Sequence, residues 1–512
     1  MESEAQYSPA VRILTAIDRG VEWLLIPLII WLLLIGLWSG PALGATLVYP
    51  NHLLRFEAGL AICLLWLSIR EKRLPWRIVP FLLPCLALLA LCALATLART
   101  LAHDGEFDWL RLWINGEPML RGALICLAVA GRPSLLRIGV ISALTGLALL
   151  ALSGVIQHVT RVSRWYNDLD RGWATGFHKY PANPKYSNDM RVQGLTSYIN
   201  LTAALLASAF PLWLSPLLLR FKLANYGKIL LLLGAIATAA ALWYTNSRGP
   251  AMAVIAVGFG LLWLNSVALG MMATLTLGLV LTFTSPTENL PMWAALTLLL
   301  ALISGLLMWR LRLRWIWPLV VGLSLLGGLQ TVDAFVLKYP LSGWRVTTRG
   351  IEDTARTKIY QLAFLDIETA PLWGVGNKNF VKNLVKIDGV LATLPVTQQN
   401  AHNQYLHWAA TEGIPVALAF TGLLLWLVIR LWLISRLRQD LFARTVGMAV
   451  AAGLMVFLLC NISDAQFWRI EGGGFFWSLL GLAEGAGISA IALRESSTNA
   501  AALLPPADDS GN

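Results

Sequence analysis

The chain has 512 residues, 57% of them hydrophobic and 13% charged, with a mean hydropathy of +0.65. A soluble domain carries about 25% charged residues, so the composition excludes a soluble enzyme and calls for an all-α polytopic membrane protein. The net charge of +11 fits the basic bias of cytoplasmic loops and gives no ground for a nucleic-acid partner.

The N-terminal segment MESEAQYSPAVRILTAIDRG lacks a signal peptide's charged-then-apolar layout and cleavage site, and the first span is expected to remain as an anchor. Apolar runs long enough to cross about 30 Å of hydrocarbon fall near 21–40, 53–70, 78–98, 136–157, 197–219, 229–246, 414–435, 445–462 and 474–493. A run near 119–131 is short, and 250–332 is almost wholly apolar. Fourteen spans are the maximum, and twelve fit the same pattern. The five cysteines, Cys63, Cys85, Cys92, Cys126 and Cys460, all sit in apolar runs without metal spacing, as small core residues do.

Lys and Arg cluster in alternate short connections: Arg70, Lys72, Arg73 and Arg77, then Arg132 and Arg137, Arg220, Lys222 and Lys228, Arg310, Arg312 and Arg314, Arg436, Arg438 and Arg444, and Arg494. With fourteen spans, the positive-inside rule places both termini in the cytoplasm. It puts 158–196, the Arg248 end of its span and 333–412 on the opposite face. The expected organisation is then residues 1–332 as N-terminal spans with the basic loop 158–196, and 333–412 as one large loop region. Residues 413–494 are C-terminal spans, and 495–512 a disordered cytoplasmic tail.

The loop 158–196 holds Arg161, Arg164, Arg171, Lys179, Lys185 and Arg191 against Asp168, Asp170 and Asp189. An anionic ligand explains that excess, and so does contact with lipid headgroups. Within 333–412, Glu352–Thr369 reads as an amphipathic helix with Ile359, Leu362, Ala363 and Ile367 on one face, stopped by Pro371. PLWGVGNKNF (371–380) is a glycine-punctuated turn. Asn400 is placed to cap a short helix from Ala401. His402 would then lie in that helix's first turn, where the dipole disfavours imidazolium, as suits a general base; the alternative is a polar interfacial residue. His407 is about 500° further round the helix and is the weaker candidate.

Arg191 opens RVQGLTSYIN just before one span and Arg248 closes another in TNSRGP. Guanidinium groups fork onto phosphate oxygens, and two at one face could clamp a lipid diphosphate; snorkelling to headgroups is the other account. Asp168 and Asp170 are flanked by Arg164 and Arg171 and read as an ion-paired loop. HExxH, P-loop and Cys/His ligand spacings are lacking, so no metal or cofactor is expected and arginine is expected to neutralise phosphate. Glu484, inside the last span, is either functional or a buried group packed among Gly481, Gly485 and Gly487.

TNSRGP at a span end, RVQG before a span, PLWGVGNKNF, and AHNQYLHWAATEGIP before a span together resemble the O-antigen ligase family of the bacterial inner membrane. The superfamily includes O-antigen polymerases and protein O-oligosaccharyltransferases. Motif by motif the resemblance covers roughly 190–435. It implies a GT-C-like, metal-independent, inverting glycosyltransferase with twelve spans and a periplasmic active site. The implied donor is a glycan on undecaprenyl diphosphate, and in the ligase branch the acceptor is a sugar hydroxyl of lipid A–core. Residue by residue, the resemblance assigns catalysis to His402, Arg248 and Arg191. Asn403 and Tyr405 would support the site, with Arg161, Arg164 and Lys185 near the substrate. A transporter or lipid flippase, and a scaffold for a polysaccharide machine, are the readings outside this class.

Overall fold

The computed structural model describes residues 9–35, 50–71, 79–103, 107–160, 162–168, 172–179, 199–218, 223–245, 247–265, 349–377, 379–380, 400–436, 440–465 and 470–502. The expected spans between 268 and 332 lie outside them. The helices are α1 (Pro9–Ile35), α2 (Pro50–Glu71), α3 (Leu82–His103), α4 (Trp109–Val129), α5 (Pro133–Thr160), α6 (Ile199–Leu218), α7 (Asn225–Thr245) and α8 (Arg248–Asn265). They continue with α9 (Arg349–Thr369), α10 (Gln404–Glu412), α11 (Ile414–Ile434), α12 (Leu441–Ser463) and α13 (Ile470–Ala502). Seven of the described helices, α3, α5, α6, α7, α11, α12 and α13, are long and apolar enough to cross a membrane. This is an all-α polytopic membrane protein with one addition: within the basic loop, β1 (Val162–Asp168) and β2 (Gly172–Lys179) pair antiparallel.

Burial sorts the bundle. Helices α6, α12 and α13 are its most enclosed spans, while α3 and α7 keep most of their surface outward, where exposed Leu94, Leu97, Leu101, Ile229 and Leu233 suit lipid. The run near 119–131 proves to be the C-terminal half of α4, a full-length helix packed closely on α13. A Cβ at Gly481 would collide with the carbonyl of Gly122, and one at Gly485 with Val129. Small residues thus let the two backbones approach, as in membrane helix pairs. Two ionisable residues of α4, Glu117 and Arg121, pair with each other inside. Arg121 is fully buried and pairs with Glu57 of α2 (Nε–Oε1, 2.8 Å) and with Glu117 one turn back. Glu484 also has a partner, Arg430 of α11, whose Nε meets both carboxylate oxygens at 2.8 and 2.9 Å.

Two boundaries differ from expectation. Helix α13 continues to Ala502, so 495–502, expected in a disordered tail, extend it. The short helix after Asn400 begins at Gln404, and its cap is Asn403, whose side chain accepts from the backbone N–H of Tyr405 and Leu406. Asn400 and His402 therefore precede the helix, and the dipole argument for His402 lapses. Helix α9 forms as expected, with Ile359, Leu362 and Ala363 buried on a small core that includes Phe380 and Ala410.

Candidate active site

Helix α10 carries the polar motif, and both of its ends are fixed. At its C-terminal end, Gly413 (φ +94°) and Pro415 redirect the chain into α11. The PLWGVG turn locks onto this corner: Val375 N–H donates to Ala410 O, Gly376 N–H to Thr411 O, and Ile414 N–H to Pro371 O, at 2.8–3.0 Å. A Cβ on Gly374 (φ +67°) would strike the Thr411–Glu412 peptide, and one on Gly413 the Leu372 carbonyl. Both glycines are demanded by φ and by this close approach. Arg99, near the end of α3, holds the corner to the bundle. Its guanidinium donates to the carbonyls of Trp373 and Thr411, to Thr96 Oγ1, and to Glu412 Oε2 at 2.9 Å.

At the N-terminal end the backbone leaves the helical path. His402 has φ +49°, a left-handed conformation uncommon for a side-chain-bearing residue and enriched at functional sites. Its N–H donates to Asn400 Oδ1 at 2.8 Å, the local side-chain turn that Asn favours. Its imidazole Nδ1 lies 3.3 Å from Asp464 Oδ1, at the long end of hydrogen bonding, and both residues are almost wholly buried.

Asp464 is the C-cap of α12. Its Oδ1 also accepts from Ala465 N–H at 2.8 Å, and its Oδ2 from Asn200 Nδ2 at 2.8 Å. Asn200, in the first turn of α6, accepts in turn from Ser247 Oγ at 2.9 Å. Ser247 directly precedes α8, and a Cβ on Gly249 would collide with Ser463 Oγ, so the start of α8 abuts the end of α12. The polar chain Ser247–Asn200–Asp464–His402 thus ties together four segments that are remote in sequence. Burial pushes the Asp464 carboxyl up, but the bonds from His402, Asn200 and Ala465 outweigh it, and it titrates below its ordinary range. It is therefore ionised at neutral pH. A carboxylate accepting at Nδ1 selects the tautomer with its proton there, leaving the Nε2 lone pair as the proton acceptor.

The expected site residues fall into three groups. His402, Asn403 and Tyr405 come together at the start of α10. The side-chain oxygen of Asn403 is used in the cap, and the Tyr405 hydroxyl, its pKa raised by burial, donates to Leu458 O of α12 at 2.9 Å. Arg248 opens α8 between Ser247 and Gly249, and Arg164 lies on β1. Arg161, Lys185 and Arg191 fall outside the described residues. His407 is fully buried on α10 with its ring edge-on to Phe380, centroids 5.2 Å apart. No cluster of three or more His, Cys, Asp or Glu able to hold a metal occurs among the described residues.

Sequence reasoning missed Asp464, Asn200, Ser247 and Arg99. A signal existed for Asp464: in NISDAQF an acid follows a span end on the face already assigned to His402. Asn200 closes the RVQGLTSYIN motif itself.

Residues 233–421 match the family model described as O-antigen ligase. The match covers 189 of the chain's 512 residues. The match runs from α7 through the Ser247–Gly249 turn, α9, the glycine turn and His402 into α11, and supports membership of the O-antigen ligase and polymerase superfamily. Asn200 and Asp464 lie outside the matched stretch. No curated protein matches the chain.

Proposed function

We propose that the protein is an O-antigen ligase that moves a glycan from undecaprenyl diphosphate to a sugar hydroxyl of lipid A–core. The observation that carries this reading is the His402–Asp464 pair, joined through Asn200 to the turn that begins α8 at Arg248. The acceptor oxygen attacks the anomeric carbon as His402 Nε2 takes the hydroxyl proton. The glycosidic C–O bond to the diphosphate breaks, and its electron pair leaves with undecaprenyl diphosphate. One displacement inverts the anomeric centre. Asp464 holds the ring and stabilises the imidazolium that forms, while Arg248 and Arg191 neutralise the departing diphosphate without a metal. Arg161, Arg164 and Lys185 supply further positive charge from the basic loop. Asn403 and Tyr405 act by fixing the start of α10.

The site would face the periplasm from the inner membrane, with both termini cytoplasmic. Residues 333–412 form the catalytic loop region between the N-terminal spans and the C-terminal spans 413–494. A transporter places ionisable groups and broken helices near the membrane midplane. Here the polar relay to His402 gathers at helix ends, the starts of α6, α8 and α10 and the cap of α12, which favours a bundle carrying a site at its rim.

The test combines purified protein in detergent, undecaprenyl-diphosphate glycan and lipid A–core, with EDTA present, and reads lipopolysaccharide mobility on a gel. A shifted band that His402→Ala abolishes is the expected result. Extension of the donor on itself, with lipid A–core untouched, would make the protein a polymerase of the same superfamily. Activity lost in EDTA and restored by Mg²⁺ would overturn the metal-free mechanism.

A further inference from the structure

We infer that Asn200 is a positioning residue of this reaction, fixing the orientation of the Asp464 carboxylate and, through it, the tautomer of His402; the inference rests on the proposed transfer chemistry. A carboxylate can rotate and offer either oxygen to either neighbour. Asp464 is denied that freedom because its two oxygens have different partners: Oδ1 faces His402 Nδ1 and Ala465 N–H, while Oδ2 takes Asn200 Nδ2 at 2.8 Å. The amide of Asn200 is oriented in its turn, because its Oδ1 accepts from Ser247 Oγ at 2.9 Å. An amide suits this place where other small polar groups do not. It donates on one side and accepts on the other, so it passes a fixed polarity from the hydroxyl of Ser247 to the carboxylate of Asp464. It also adds no charge to a buried pair. The titratable groups that the described contacts bring to the bridge are Asp464, His402 and Cys460 of α12, whose thiol lies within the field of the Asp464 carboxylate.

The chemistry separates an orienting amide from a space-filler. Asn200→Asp is nearly isosteric, but it sets a second carboxylate against Asp464, and two such groups cannot both ionise freely. As the second carboxyl of the pair loses its proton, the added negative charge favours imidazolium at His402, and a protonated ring cannot act as base. The acid limb of the kcat/KM profile should therefore move to higher pH by about one unit, with turnover partly recovered in alkaline buffer. Asn200→Ala leaves charge unchanged but frees the carboxylate. It should lower kcat by on the order of 10- to 100-fold, less than the 10²- to 10⁴-fold contribution of a general base, with the donor KM within about two-fold, since only the transition state needs the aligned ring.

The experiment measures glycan transfer by the full-length protein across pH for wild type, Asn200→Asp, Asn200→Ala and His402→Ala. A displaced acid limb in Asn200→Asp together with a kcat-only loss in Asn200→Ala supports the inference. A wild-type profile in Asn200→Asp, or a uniform fall at every pH, overturns it and leaves Asn200 a packing residue. If neither Asn200 variant accumulates in the membrane, Ser247→Ala decides the matter: a kcat-only loss supports the chain of orientation, and unchanged turnover overturns it. Failure of wild type to transfer glycan would instead remove the underlying reading, so the two failures are distinct.

Discussion

The two ends of α10 are held by different kinds of contact. At the C-terminal end, Arg99, Glu412, Gly374 and Gly413 lock backbone to backbone: carbonyls are satisfied, an ion pair is closed, and little polar capacity is left over. At the N-terminal end, a relay from the turn before α8 through α6 and the cap of α12 ends at one imidazole in a left-handed backbone conformation, and the contact it makes there, among the described residues, is at Nδ1. Buried polar groups that satisfy one another stabilise a fold. A buried relay that stops at a basic ring nitrogen is arranged to act on something else. The comparison therefore predicts that changes at the first end cost stability and changes at the second cost rate.

The largest effect tests the N-terminal end. Asp464→Asn keeps size but turns an acceptor into a group that can donate, so Nδ1 need no longer carry the proton and Nε2 loses its role as base. Turnover should fall by about 10²-fold or more, approaching the loss in His402→Ala, while both variants stay membrane-inserted with near-wild-type melting. Wild-type turnover in Asp464→Asn would reduce the pair to a structural contact and erase the difference between the ends.

Arg99→Ala tests the other end. It removes the ion pair of the buried Glu412 carboxylate and one donor each from the Trp373 and Thr411 carbonyls, and breaking a buried pair by removing one partner costs about 3 kcal/mol. The detergent melting temperature should drop clearly, and Arg99→Ala with Glu412→Gln should recover part of the loss, since the stranded charge is gone. Donor turnover per folded molecule should fall far less than in Asp464→Asn. A large rate loss with unchanged melting would instead place Arg99 in the catalytic machinery.

How much of this was legible follows the range of the interactions. Helix α9 was visible because Ile359, Leu362 and Ala363 repeat at helical spacing. The spans were visible from apolar length, and His402 from a polar motif set between spans. The start of α10 was misplaced by three residues because Asn400 and Asn403 are both able caps, and only the left-handed turn at His402 decides between them. The depth of α4 was hidden because Glu117 and Arg121 dilute its apolar signal, and their neutralising partner Glu57 lies on another helix. Asp464 and Asn200 were illegible as a pair for the same reason. Their contact spans 264 positions, and no local pattern announces that an amide on one span and an acid capping another will meet.

The smallest effect concerns acid. The Asp464 carboxyl titrates below its ordinary range in the folded protein, because the bonds from His402, Asn200 and Ala465 outweigh the penalty of burial. A depressed carboxylate contributes stability that is present above its unfolded pKa of about 3.9 and is lost as pH falls through the lower folded value. The modest melting difference between wild type and Asp464→Asn should thus hold steady from about pH 8 to pH 5 and shrink as pH falls below about 4. A gap that acid leaves unchanged would mean that Asp464 is held by shape rather than charge. The N-terminal end of α10 would then be a lock like the other, and the rate effects assigned to it would need another source.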